Sequence, residues 1–186
     1  MPDQLYLSYW LRGFTGPNML RHFEKALRVF PFSRLKPSAA LTVYAIELSE
    51  PAVFERIFPE TPDVADLLAA AKDFRADDSA VEVEAAWDMW QFDGKWKLAP
   101  ARVRFTCFGP EFERDLGENL QIDFGLEDRF LPQPELPNQL VMVRSNIRSL
   151  LRLVHDIDDS LPIERRQLWS ESGGNFAERL QAALGG

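Results

Sequence analysis

Residues 81–109, VEVEAAWDMWQFDGKWKLAPARVRFTCFG, decide how the chain is read. Val81, Val83, Ala85, Trp87 and Met89 recur at period two, with Glu82, Glu84 and Asp88 between them. That alternation marks a strand with one buried face and one wet face. Asp93-Gly94 breaks the pattern before it resumes. An aspartyl-glycine pair between alternating runs is a strong hairpin signal, because tight hairpin turns need positive φ. A two-residue turn sets Gln91 opposite Trp96, Trp90 opposite Lys97 as a cation–π pair, and Met89 opposite Leu98. The same register drops Val103 and Phe105 onto the wet face, opposite Glu84 and Glu82. A one-residue slip moves every side chain across the sheet, so the phase must be reset. Ala99-Pro100-Ala101 is the expected place, as a bulge or a break.

Upstream, Leu5 to Phe14 alternates as a first strand, with Leu5, Leu7, Tyr9 and Leu11 on one face and Tyr6 and Trp10 on the other. Apolar residues on both faces place it centrally. Gly13 and Gly16-Pro17 end it, and Asn18 is set to cap a helix carrying Met19, Leu20, Phe23, Ala26, Leu27 and Phe30 at helical spacing. Ala39 to Leu48 reads as a second strand. AVFERIF, at 52–58 between two prolines, reads as a short strand paired back onto it, with a single helical turn as the alternative. Thr61-Pro62-Asp63 opens a second helix with the stripe Val64, Leu67, Leu68, Ala71 and Phe74. The order is then βαββαβ, the ferredoxin-like arrangement. A superfold of this kind says almost nothing about chemistry.

Downstream, Leu120, Ile122 and Phe124 alternate with Gln121 and Asp123, a further antiparallel strand beside Val103, Phe105 and Cys107. That pairing brings Arg102 and Arg104 near Asp123. Residues 126–138, LEDRFLPQPELPN, form a stiff proline-rich connector. Residues 139–186 read as helical. Leu140, Val143, Ile147, Leu150, Val154, Ile157 and Leu161 form a stripe that Met142 and Leu151 widen, which favours packing on a sheet over a coiled-coil seam. QLVMV, at 139–143, leaves a terminal strand as the alternative. Pro162 restarts a short helix through Trp169, and Asn175 with Glu178 is a capping box before a last helix that buries Phe176, Leu180 and Leu184. The fold class is a single α+β domain over 1–186. Its antiparallel sheet opens in ferredoxin-like order within 1–125, is extended by the hairpin and further strands, and is packed by the C-terminal helices.

A chain of 186 residues can bury a core without covalent staples. One cysteine, Cys107, excludes an intramolecular disulfide, and its place in VRFTCFG suggests a small buried hydrophobe. No apolar run is long enough to span a membrane, and MPDQLYLSYW lacks the pattern of a signal peptide. The expected location is a reducing cytoplasm. Residues 55–93 hold eleven acids against three bases and so carry the whole net charge of −8. Such a surface repels nucleic acid and anionic membrane. It serves as a solubilising face or as a dock for a basic protein.

No phosphate loop, dinucleotide fingerprint, HExxH or paired-cysteine spacing is present, so no cofactor is expected. Three constellations remain. His155-Asp156-Ile157-Asp158-Asp159 puts three carboxylates at a helix C-terminus, where the dipole disfavours them. His155 and Asp159 share a helical face and can chelate a metal; Arg152, Arg165 and Arg166 neutralise the acids in the simpler reading. Arg144, Arg148 and Arg152 form a row that needs an anion, supplied internally by Glu82, Glu84 or Asp88 or by an external ligand. Internal supply would lay the helix across the acidic face of the hairpin strand. Of the aromatic set Trp87, Trp90, Phe92 and Trp96, Trp87 reads as core, while Trp90 and Phe92 fall on the face that began polar and are either covered by the C-terminal helices or mark a ligand or partner surface. The reading that follows is a non-catalytic binding or protein-interaction domain, with a protein partner or homodimer and no nucleic acid. The alternative is a small-molecule or metal-dependent enzyme using the His155/Asp156/Asp158/Asp159 cluster with an arginine-lined anion site.

Overall fold

The computed structural model describes residues 2–173 and 176–185. Strand β1 spans Gln4–Leu11, helix α1 Met19–Arg28, β2 Ala39–Ala45, β3 Phe54–Phe58, α2 Val64–Lys72, β4 Ser79–Phe92, β5 Trp96–Phe108 and β6 Leu120–Leu126. A 3-10 turn at Glu127–Phe130 leads to α3 Gln139–Ser160, β7 Ile163–Ser170 and α4 Phe176–Gly185. The strands form one seven-stranded sheet in the order β3-β2-β4-β5-β6-β1-β7, with every neighbouring pair antiparallel.

The hairpin is present, but its register differs from the expected one. Phe92 faces Trp96, Trp90 faces Leu98 and Met89 faces Ala99. Asp93, Gly94 and Lys95 therefore form a three-residue loop, with Gly94 at φ 73°. The extra residue resets the phase at the turn. Val103 and Phe105 come opposite Ala85 and Val83, on the buried face, and the ladder runs from Ala80↔Phe108 to Phe92↔Trp96 without a shift. No bulge forms at Pro100. Leu98 moves to the wet face and is 45% exposed, and Lys97 pairs with Asp93 instead of lying over Trp90. Strand β6 pairs only with Arg104 to Cys107, so Pro100 stands on an unpaired flank, where proline is tolerated and blunts an open edge.

The βαββαβ order along the chain is present, but the strands do not assemble in the ferredoxin-like way. That arrangement sets β1 beside β4. Here both flanks of β4 are taken, by β2 and by the returning arm β5. Strand β1 is displaced to the far side, between β6 and β7.

The short strand β3 pairs with β2 as expected, from Ala39↔Phe58 to Val43↔Phe54. Helix α2 is capped by Asp63, whose side chain accepts from the Ala65 N–H at 2.8 Å. Asn18 does not cap α1; its side chain joins Thr15 N and Gly13 O in the preceding turn. QLVMV is helical and opens α3. Residues 163–170 are not a helix but the edge strand β7, paired with β1 from Leu5↔Ser170 to Leu11↔Ile163. The region after residue 138 is thus helix, strand, helix. The capping pattern at Asn175 lies outside the described residues. Phe176 and Leu180 are buried as expected, whereas Leu184 is 38% exposed.

Helices α1 to α4 pack on one face of the sheet. Phe23 and Leu27 of α1, Leu67 and Ala71 of α2, Ile147 and Leu150 of α3, and Phe176 and Leu180 of α4 join Leu7, Leu41, Val83, Phe105 and Ile122 in one core. The opposite face carries a small second cluster, Ala80, Phe108 and Phe112 with Tyr44, formed by the loop after β5. No helix among the described residues is long and apolar enough to cross a membrane.

Candidate functional site

Strand β2 accompanies β4 only as far as Ala40↔Glu84, yet β4 runs on to Phe92. Its backbone beyond that point needs other partners, because buried N–H and C=O groups are costly to leave unpaired. The Ser33 N–H donates to Ala86 O at 2.8 Å, and Asp88 accepts from Ser33 Oγ and from the Arg34 N–H. At Trp90 the partner is a side chain. Asn146 Oδ1 accepts from the Trp90 N–H at 2.9 Å, and its Nδ2 donates to Trp90 O and to Arg129 O, each at 2.9 Å. The partners fix the orientation of this amide: one N–H donor on its oxygen side, two carbonyls on its nitrogen side. Asn146 is 2% exposed. One buried carboxamide thus ties together the hairpin strand, the 3-10 turn and α3.

A cleft of about 310 Å³ opens where these three elements meet. Trp90, Phe92 and Trp96 line it with aromatic surface; Leu126, Leu136 and Val143 add apolar surface; Asp128, Arg129 and Gln133 add polar groups. Phe92 meets Trp96 edge to face at 5.5 Å, and the Trp96 indole N–H donates to Pro137 O at 2.6 Å, pinning the hairpin tip to the connector. Arg129 is half-buried, and its guanidinium donates to Phe124 O at 3.3 Å. Burial holds its pKa below the usual arginine range, opposed by Asp128 and Asp123. Asp123 is itself paired with Arg104 at 3.2 Å, the neighbour relation expected from the strand pattern. Among the described residues no carboxylate lies within 4.0 Å of Arg129. The backbone gives way here: Gly125 has φ 77°, and a Cβ on it would come within 2.7 Å of Arg129 Nη1.

The structure separates the other sequence candidates. Trp87 is in the core. Arg148 and Arg152 are exposed and Arg144 is half-buried. Helix α3 lies on the apolar face of the sheet, so Glu82, Glu84 and Asp88 cannot supply the anion for this row. Its stripe of Val143, Ile147 and Leu150 takes it there, Glu84 is near Arg102 at 4.0 Å, and Asp88 holds the Ser33 turn. In the acidic run, His155 Nε2 and Asp159 Oδ2 are 3.2 Å apart, both largely exposed. Asp158 plays a structural part. It accepts from the buried Tyr9 hydroxyl at 3.2 Å and from Arg166 of β7. No group of three or more His, Cys, Asp and Glu among the described residues is placed to hold a metal. Cys107 is buried, donates weakly to Met19 O at 3.6 Å, and burial pushes its thiol pKa far up. The acids of residues 55–93 divide between the two faces: Asp63 and Asp66 belong to the α2 layer, Glu82 and Glu84 to the open face.

The sequence pattern singles out neither Asn146 nor Arg129. Asn146 leaves a trace, a lone amide beside the apolar positions Val143 and Ile147. Arg129 leaves none, because it sits in a segment that reads as a connector. No family model matches the chain, and no curated protein or solved structure matches it significantly.

Proposed function

We propose that this protein is a non-catalytic binding domain whose ligand seats in the cleft between the hairpin tip, the 3-10 turn and the start of α3. The observation that carries this reading is the construction of the cleft. Trp90 is an aromatic wall and Arg129 is, among the described residues, the only cation lining the cleft; the same buried amide holds the main chain of both. Fixing both before a ligand arrives lowers the ordering cost of binding. Aromatic walls with a few fixed polar groups are the usual make-up of a small-ligand site. Trp90 and Phe92, the aromatic pair marked in the sequence, line this cleft; Arg144, Arg148 and Arg152 do not.

The test is a fragment screen read by NMR on the indole N–H signals of the protein. Ligands are expected to move Trp90 and Trp96 first. Trp96→Ala should weaken them at least tenfold while thermal unfolding still shows one cooperative transition. Hits that move Trp10 and Trp169 instead, and are indifferent to Trp96→Ala, would place binding elsewhere and end this reading.

A further inference from the structure

We infer that the cleft recognises a singly charged carboxylate joined to an apolar or aromatic body, with Arg129 as the group that receives the carboxylate. The inference rests on the cleft being a binding site and names its ligand class.

Arg129 carries the argument. Arg129 is half-buried, and among the described residues its guanidinium has one protein acceptor, the Phe124 carbonyl, and no carboxylate within 4.0 Å. A partly desolvated guanidinium without an ion pair retains most of its donor capacity. The other arginines next to the sheet at this end are engaged: Arg102 is near Glu84 at 4.0 Å and Arg104 is paired with Asp123 at 3.2 Å. An arginine in the lining of a cleft can match a carboxylate with two parallel hydrogen bonds from its planar fork.

The neighbours narrow the class further. Asp128 also lines the cleft, so its net charge is close to zero. A phosphate monoester, with a charge of about −1.5 to −2, would meet one cation and one anion there. A carboxylate needs only the one cation. Trp90, Phe92 and Trp96 offer apolar surface for the rest of the molecule, and Gln133 offers an amide at the margin. A free aromatic acid and the terminal carboxylate of a peptide share this chemistry.

The experiment is calorimetric titration at pH 7 with 3-phenylpropionate and its uncharged isostere 3-phenylpropanamide. The acid is expected to bind about tenfold or more tightly than the amide. In Arg129→Met, with folding checked by near-UV circular dichroism, that ratio should fall to about one while the amide is little changed. Should Arg129→Met not fold, Arg129→Lys serves instead; it keeps the charge but not the fork, and should lose part of the preference. Equal binding of acid and amide by the unaltered protein overturns the carboxylate assignment and leaves the cleft as a binding site. Binding of neither overturns both readings. A preference that survives both arginine variants overturns the role of Arg129. N-acetyl-Ala-Phe binding more tightly than 3-phenylpropionate assigns the carboxylate to a peptide terminus, and the reverse order assigns it to a free acid.

Discussion

Asn146 makes three hydrogen bonds to backbone groups that no strand reaches. Asn146→Ala removes all three partners at once and should cost roughly 2–4 kcal/mol in urea unfolding. Asn146→Asp should be no better at neutral pH, because a carboxylate would face the carbonyls of Trp90 and Arg129. His22 is a different case. It is 6% exposed, both ring nitrogens are buried without a hydrogen-bond partner, and burial, helped by Lys25 and Arg21, lowers its pKa. The unfolded chain takes up this proton near pH 6.5, whereas the folded protein does so only at lower pH. Below pH 6.5 the unfolded form therefore binds more protons, and stability is lost as the pH is lowered. His22→Phe, which can still stack on Phe14, should be neutral or stabilising at pH 7.5. Its stability curve from pH 7.5 to 5.5 should decline less than that of the unaltered protein; parallel curves would refute the assignment. At this scale Cys107 was legible, because apolar neighbours in a strand mean burial. Arg129 was not, since its role depends on a turn that only the folded connector makes.

The hairpin shows how a single residue of loop length sets an element. With Asp93-Gly94-Lys95 in the loop, the inward residues of both arms coincide and every apolar side chain of β5 from Ala101 to Cys107 is buried. Deleting the exposed Leu98 from β5 would shift every later residue of the strand by one and drive Val103 and Phe105 to the wet face. That variant is expected to be insoluble or to lack a cooperative transition, whereas Lys95→Ala should unfold within about 0.5 kcal/mol of the parent. The sequence pattern revealed both arms and the turn, yet the aspartyl-glycine pair suits loops of more than one length, so the register was open. Strand β7 was harder to see. An edge strand buries little and shows no alternation: Glu164, Arg165, Arg166 and Gln167 are all exposed. Its one inward arginine, Arg166, binds Asp158, which also answers the acidic end of α3. Helix α3 itself was legible from its stripe, but its partner face was not, because charge matching pointed to the wrong side.

At the scale of the whole molecule, one face of the sheet lies beneath the helices and the other is open. Across the open face, register aligns Glu55, Thr42, Glu82, Thr106, Gln121, Ser8 and Gln167 in a single polar row. The adjacent inward row is Arg56, Leu41, Val83, Phe105, Ile122, Leu7 and Leu168, of which the five from Leu41 to Leu7 are fully or almost fully buried. Thr42→Lys should therefore change stability by less than about 0.5 kcal/mol, while Val43→Lys, one residue along, should abolish the thermal transition. Comparable losses in the two variants would mean that the open face is covered. The class of fold followed from the alternating runs, but the strand order did not, because it turns on which flank of β4 is already occupied. That order has a bearing on biosynthesis. Both lateral partners of β1 are encoded more than a hundred positions later in the chain. During translation, the hydrogen-bonding edges of LYLSYWL stay bare until β6, and then β7, leave the ribosome. The nascent polypeptide must carry an adhesive, aromatic-rich ribbon while more than a hundred further residues are added.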